Sequence, residues 1–401
     1  MGIIHKKQKK VIIQKGTIED KEGRKYKVDF VGDNNDFVDI SLENEVNKVD
    51  ESIKDLLKQN KNEIHDICFI NDYAYLLVGC NEGLLYVYKR VINNKSNLKF
   101  EEVTHFKPHK ESIIQILKLK SGHILTLSSD SSSKILEIEI ESNDVLYANE
   151  NKCEEIQLLL EENESSNNSA IELQSEDLII SQGFFINFFQ KNTNGMVVSE
   201  SLRTCSTSLS GKEYHLTKKI FTNSDNIFFT EIDYKTVAAS QISNNSLQFY
   251  NVEDYSLVQS INSKIEFSNM KNCMCLINKE TLAIGGKNGT IYLVNTLKKQ
   301  LFSTTHFENC EHISCIKSIS DDLIIMGCQY WTINFDVIIY RINNNKFEEI
   351  KKVQKTHKGL INDIKLITMD ISQNKNPLTE KFNVITLGLD YKVKLLLSKD
   401  K

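Results

Sequence analysis

One short pattern recurs seven times along this chain: a turn residue, a small or polar residue, then alternating apolar positions that end on a bulky side chain. Its clearest copies are Asn288-Gly289-Thr290-Ile291-Tyr292-Leu293-Val294-Asn295 and Asn244-Asn245-Ser246-Leu247-Gln248-Phe249-Tyr250-Asn251. Glu82 to Lys89, Asp390 to Leu397 and Asn334 to Arg341 repeat it, and weaker copies begin at Ser132 and Gln182. The starts at 82, 132, 182, 244, 288, 334 and 390 lie 44 to 62 residues apart. A unit of that size cannot bury its own apolar face, so it must stack on a neighbour, and seven units form one array.

Each copy follows a second apolar run that closes on small residues. These runs are Leu76–Gly79, Ile124–Ser128, Leu178–Ser181, Thr236–Ser240, Leu282–Gly286, Leu323–Gly327 and Val384–Gly388. Continuous apolar runs fit strands covered on both faces. Another apolar run precedes each of them, as at Ile113–Leu117 and Leu360–Leu366, and a looser one often follows, as at Tyr255–Ile261. Four strands per unit and seven units predict an all-β chain. Only Pro108 and Pro377 interrupt it, which suits a chain rich in ladder hydrogen bonds.

Units of this kind resemble the WD40 repeats of β-propellers. Thr356-His357-Lys358-Gly359-Leu360-Ile361 and Pro108-His109-Lys110-Glu111-Ser112-Ile113 look like that family's histidine, followed four residues later by an aliphatic. The resemblance implies a seven-bladed propeller of four-stranded antiparallel blades over residues 64–401. It also implies that His357 and His109 join structural networks with turn aspartates, Asp390 and Asp130. The match is degenerate. No Trp-Asp pair occurs, and Tyr88, Tyr250, Val294, Tyr340 and Leu396 stand where tryptophan is expected. The glycine before the histidine is missing too, so a four-stranded propeller of a non-WD kind is the alternative.

After the seventh copy only Ser398-Lys399-Asp400-Lys401 remain, too few for a fourth strand. An unpaired outer edge invites aggregation, and WD40 rings resemble an arrangement that borrows an N-terminal strand. Residues 1–63 therefore read as an arm. The alternating Tyr26-Lys27-Val28-Asp29-Phe30 is the preferred closing strand, ahead of Val11-Ile12-Ile13. From Val46 to Asn60, the residues Val46, Val49, Ile53, Leu56 and Leu57 recur at helical spacing, which predicts one short helix on the ring's flank or a docking helix for a partner.

Composition narrows the function. A net charge of −5 and only four arginines argue against a nucleic-acid reader. No apolar run is long enough for a membrane span. Gly2 would suit lipidation, but Lys6 replaces the usual hydroxyl residue. Nine cysteines without a secreted framework suggest reduced thiols in a cytoplasmic protein. Cys273, Cys275, Cys310 and Cys315 lack zinc-ribbon spacing and fall in innermost strands, so they read as core thiols, with Cys273 and Cys275 on one face against the next blade. Gly285-Gly286-Lys287-Asn288-Gly289 joins two strands, where a phosphate loop needs a helix. No catalytic residue, cofactor site or metal site is expected.

Propellers recognise partners through loops. The connection Cys328-Gln329-Tyr330-Trp331-Thr332-Ile333 is longer and more aromatic than its counterparts, so Gln329, Tyr330 and Trp331 are the candidate protein-binding residues, with Trp331 folded onto the core as the alternative. Thr204–Ser224, Thr368–Lys381 and Glu161–Asn168 read as surface insertions. The expectation is a non-catalytic interaction scaffold within a eukaryotic multiprotein complex. A propeller adaptor that binds phosphoinositides is a second reading. Its family carries Phe-Arg-Arg-Gly, and Ser201-Leu202-Arg203-Thr204 matches only one arginine, leaving Lys6, Lys7, Lys9 and Lys10 for peripheral membrane contact. A propeller enzyme with a central-channel site is the third.

Overall fold

The computed structural model describes residues 13–19, 25–31, 38–41, 53–55, 57, 62–71, 73–93, 97–140, 146–148, 154–156, 167–192, 214–262, 265–268, 272–308, 310–330, 335–343, 346–368 and 382–396. Two compact units divide the chain, Met1–Ile53 and Lys54–Lys401.

Seven four-stranded antiparallel sheets, each running in order from an innermost to an outermost strand, form the larger unit together with a two-stranded sheet of Ile138–Ile140 and Leu146–Ala148. Blade 1 comprises Ile64–Ile70, Tyr75–Cys80, Leu85–Asn93 and Asn97–Phe106; blade 2 comprises Ile113–Lys118, Ile124–Ser128, Ser133–Leu136 and Glu154–Ile156. Asn167–Glu172, Leu178–Gln182, Phe185–Lys191 and Tyr214–Phe221 form blade 3, and Ile227–Asp233, Thr236–Gln241, Ser246–Asn251 and Leu257–Asn262 form blade 4. In blade 5 the strands are Met274–Asn278, Thr281–Gly285, Thr290–Asn295 and Gln300–His306. Cys310–Ser320, Leu323–Tyr330, Phe335–Asn343 and Lys346–His357 build blade 6. Blade 7 takes Ile361–Thr368, Phe382–Gly388 and Val393–Leu396 from one end of the chain and Ile53–Asp55 from the other. All seven repeat copies are third strands, and the small-residue runs before them are second strands.

The strand types follow from their surroundings. Second strands are covered on both faces, as in Tyr75–Cys80, where every residue is buried. The outermost strand Gln300–His306 alternates exposed and half-buried positions, the signature of one covered face. Apolar clusters weld neighbouring blades. Ile67, Leu76 and Val78 of blade 1 pack with Ile385, Leu387 and Val393 of blade 7, closing the ring. Cys275, Ile291 and Leu293 of blade 5 pack with Ile313, Ile324 and Ile338 of blade 6. Each buried aliphatic contributes roughly 1.5–3 kcal/mol. Two turn glycines hold positive φ beneath the start of the next blade. A Cβ on Gly83 (φ 74°) would lie 2.0 Å from the His109 carbonyl oxygen, and one on Gly289 (φ 62°) 2.4 Å from that of Cys310.

Three expectations are corrected. Tyr26–Phe30 does not close the ring: Lys25–Val31 is the middle strand of a separate three-stranded sheet, paired with Ile13–Glu19 on one side and Val38–Ser41 on the other. Both its edges are filled, so it has no free ladder to offer blade 7. The closing strand is Ile53–Asp55, in the segment expected to be helical. Pairing with an open sheet edge overrides a weak helical spacing there, and the only helical element among the described residues is the 3₁₀ turn Asn81–Gly83. Finally, the supposed insertion Thr204–Ser224 contains Tyr214–Phe221, the outermost strand of blade 3. Residues 46–52 of the expected helix, and 369–381 of the second insertion, lie outside the described residues.

Candidate functional site

The turns between second and third strands, together with the connections from one blade to the next, lie at one end of every blade. Two of these turns are fixed by the expected histidine networks. In blade 7 His357 Nδ1 lies 2.8 Å from Asp390 Oδ1 and Nε2 lies 2.8 Å from Thr386 Oγ1, while Lys358 N–H donates to Asp390 Oδ2 at 3.0 Å. In blade 2 His109 Nε2 meets Thr126 Oγ1 at 2.8 Å, and Nδ1 meets Ser132 Oγ at 2.6 Å, which donates to Asp130 Oδ1 at 2.5 Å. Burial draws His109 down to about 4, against the pull of Asp130. Burial opposes ionisation of Asp130 and Asp390, yet hydrogen bonds from Ser132 and Lys110, and from His357 and Lys358, bring both to about 2. These groups brace turns.

Asp66, Asp363 and Lys365 on the inner strands are paired. A bulge at the start of the innermost strands of blades 1 and 7 re-aims Asp66 and Asp363. Asp66 Oδ2 accepts the Ile116 N–H of blade 2 at 2.6 Å. Asp363 accepts the Ile364 N–H at 2.9 Å and lies 2.8 Å from Lys365 Nζ and 3.9 Å from Lys317 Nζ. Burial pulls Lys365 downward, but Asp363 and Asp66 outweigh it and keep its ammonium above the usual range. Among the described residues, no three His, Cys, Asp or Glu side chains converge as a metal site requires.

The thiols lie in the core. Cys273 Sγ donates to the Ile313 carbonyl at 3.0 Å, across the interface between blades 5 and 6, and Cys275 joins the same apolar cluster. Burial pushes both up to about 12. Cys310 departs from this: a hydrogen bond from the Cys328 thiol lowers it despite burial.

Of the candidate binding residues, Gln329 and Tyr330 continue the second strand of blade 6, opposite His312 and Cys310. Gln329 Nε2 donates to Glu311 Oε2 at 3.0 Å. Trp331 lies outside the described residues.

An aromatic surface that sequence reasoning missed sits at the corresponding turn of blade 3. Gln182 pairs with Phe185, so Gly183 and Phe184 are the two residues of the turn itself, and Phe185 pairs with Phe221 at the end of the outermost strand. Phe184 is 46% exposed and Phe221 66%. The ring of Phe221 lies 6.3 Å from that of Phe184 and 5.5 Å from that of Phe185, a spacing at which aromatic rings attract. Lys219 Nζ stands 4.0 Å from the centroid of Phe185, within cation–π reach. The signal was present as Phe184, an aromatic residue in a turn where blades 1, 2, 4 and 5 carry none. At the same end of blade 7, Leu389 and Tyr391 are about two-fifths exposed, and Tyr391 lies edge-on to His65 at 6.1 Å.

Solved structures share this architecture. The chain is similar to Sqt1 of Saccharomyces cerevisiae, with a TM-score of 0.54 and 10% identity over 87% of this chain and 98% of that one. It is likewise similar to U3-55K, with a TM-score of 0.56 and 10% identity over 86% and 98% of the two chains. Such likeness shows the fold. No protein-family model and no curated protein matches the chain.

Proposed function

We propose that this chain is a non-catalytic interaction scaffold, a WD40-like propeller that presents the turn end of its ring to other proteins within a multiprotein complex. The observation that carries the reading is the contrast between two sets of polar and aromatic groups. Asp66, Asp363 and Lys365 of the inner strands and the turn histidines His109 and His357 are paired within the ring, while Phe184 stands exposed on a two-residue turn and Phe221 at the end of the outermost strand beside it. Aromatic residues on a fixed scaffold are the usual anchors of protein interfaces. The WD40-like character rests on the two His–Asp–Thr networks. The seven cysteines among the described residues are free and buried, which supports a reducing compartment such as the cytoplasm.

Affinity purification of the tagged chain beside its Phe184→Ser/Phe221→Ser variant tests the reading. Loss of a reproducible set of co-purifying proteins, with an unchanged melting midpoint, is the expected result. An identical set from both chains refutes the assignment of this face. Turnover that disappears on Asp363→Asn or Lys365→Met would instead favour a channel enzyme.

A further inference from the structure

We infer that the Phe184–Phe185–Phe221 shelf and the lysines beside it bind an extended, acidic segment of a partner protein that carries one aliphatic or aromatic anchor. This deepens the scaffold reading and rests on it.

Three observations converge on blade 3. The first is the shelf, where two exposed rings leave a large apolar surface in water. Such a surface is stabilised by an apolar side chain laid across it.

The second is charge. Lys218 is exposed and Lys219 half-buried, and neither has a carboxylate partner among the described residues. Lys219 rests against Phe185 alone. The carboxylate nearest in sequence among the described residues, Asp225, already accepts from Asn226 Nδ2 and from Ser243 Oγ. Elsewhere in the ring the ammonium groups of Lys191, Lys235, Lys317, Lys352 and Lys365 have carboxylates. Two free cations beside exposed aromatic rings select a partner of negative charge.

The third is backbone geometry. Tyr214–Phe221 ends its sheet, so one edge of the strand has no neighbour among the described residues. An extended segment can add to such an edge through main-chain hydrogen bonds. Along a strand the rise is about 3.3 Å per residue, which puts Lys219 about 7 Å and Lys218 about 10 Å from Phe221. A partner in the same conformation therefore places carboxylates two and three residues from its anchor.

Fluorescence anisotropy with the full chain tests this. The probe is a fluorescein-labelled twelve-residue peptide with a central leucine, aspartates two and three residues away, and serines elsewhere. One control peptide carries lysines for the aspartates, and another a serine for the leucine. Both controls are expected to bind at least tenfold more weakly than the probe. Phe221→Ser and the double variant Lys218→Glu/Lys219→Glu should each weaken the probe at least tenfold, with melting midpoints unchanged. The charge-reversed variant should prefer the lysine peptide, an exchange that unfolding cannot produce. Affinity for the probe should fall as salt rises.

Equal binding of the lysine peptide, or a probe affinity indifferent to the variants, overturns the inference. So does flotation of the chain with phosphatidylcholine–phosphatidylserine vesicles that Phe221→Ser abolishes, which would give the shelf to a membrane. Self-association abolished by Phe221→Ser would give it to a second copy. Failure of the peptide while Phe221→Ser still strips proteins from the purified complex removes this chemistry and leaves the scaffold reading intact.

Discussion

Replacing Asp390 by alanine isolates the network that braces blade 7, and its effect can be worked from the contacts. The carboxylate accepts from His357 Nδ1 at 2.8 Å and from the Lys358 N–H at 3.0 Å. The His357 side chain is fully covered, so its ring nitrogen would be stranded without solvent. Losing a charge-assisted bond to a buried donor costs about 1.5–3 kcal/mol. The acidity of Asp390 gives a second route to the magnitude. Its carboxyl falls from 3.8 to about 2 on folding, nearly two pH units at about 1.4 kcal/mol each. Solvent at the turn screens part of this, leaving about 1–2 kcal/mol. Asp390→Ala should therefore destabilise the ring by about 2–3 kcal/mol, and Asp390→Asn, which keeps an acceptor, by less. Urea unfolding of Asp390→Ala, His357→Ala and the double variant should give a coupling energy of about 1.5 kcal/mol. The matching cycle at Asp130 and His109 should give less, because Ser132 stands between those side chains and the direct distance is 3.6 Å. Additive losses at Asp390 and His357, or a change in Asp390→Ala below about 0.5 kcal/mol, would refute the reasoning.

His109 titrates near 6.5 when unfolded and near 4 in the ring, so the unfolded chain takes up the proton first as pH falls. Stability should drop between about pH 6.5 and 4, by up to about 3 kcal/mol, and His109→Gln should flatten that limb in urea titrations across the range. Asp130 and Asp390 are depressed from 3.8 to about 2 and add a second loss as pH falls through that lower window. Removing residues 1–48 keeps Ile53–Asp55 and should leave the melting midpoint of the ring unchanged, whereas removing 1–57 uncovers the edge of Val393–Leu396 and should yield aggregates on size exclusion. Gly289→Ala forces a Cβ onto the Cys310 carbonyl and should cost about 2 kcal/mol or more in thermal unfolding, because φ at that turn is also positive. Thiol labelling of the native chain, mapped by mass spectrometry, should modify Cys310 ahead of Cys273 and Cys275, whose burial holds them protonated.

The blade count and the strand boundaries were legible because they rest on period-two alternation and on turns that repeat, which hold in Thr290–Asn295 as in Ser246–Asn251. The pairing of His357 with Asp390 was legible through the family resemblance, whereas Thr386, the third member, was not. Ring closure was not. Ile53–Asp55 is a strand of three residues whose only cause is an unfilled edge more than three hundred residues away, and no local pattern encodes that pairing. Tyr26–Phe30 alternates far better, yet alternation states which faces a strand offers and not which neighbour it meets. Tyr214–Phe221 was hidden by the polar residues before it, and with it the partner that turns Phe184 and Phe185 into a surface. Aromatic content drew attention to Trp331, which lies outside the described residues, whereas the exposure of Phe184 and Phe221 is a property of the assembled blade.

The ring separates bracing from recognition, and blade 3 shows how. In blade 7 the turn belongs to the network: a Cβ at Gly388 would lie 2.3 Å from His357 Nδ1 and 2.5 Å from Asp390 Oδ1, so that turn has no freedom to vary. Blade 3 has no histidine at that place. Ser181 Oγ instead donates to the Ile227 carbonyl at 2.9 Å and Ser169 Oγ to the same carbonyl at 2.8 Å, tying blade 3 to blade 4 from inside the strands. The Phe184 carbonyl accepts from the Thr222 N–H at 2.7 Å and from Thr222 Oγ1 at 2.9 Å, so the backbone holds this turn and the Phe184 side chain is left without a structural duty. Side-chain substitutions at Phe184 act on binding alone, while Tyr391, set in the network turn and against His65, serves stability as well. Phe184→Ser should leave urea unfolding within about 0.5 kcal/mol of the parent, and Tyr391→Ser should lower it by about 1 kcal/mol or more. Equal losses from the two would mean that the aromatic turn of blade 3 braces the ring after all.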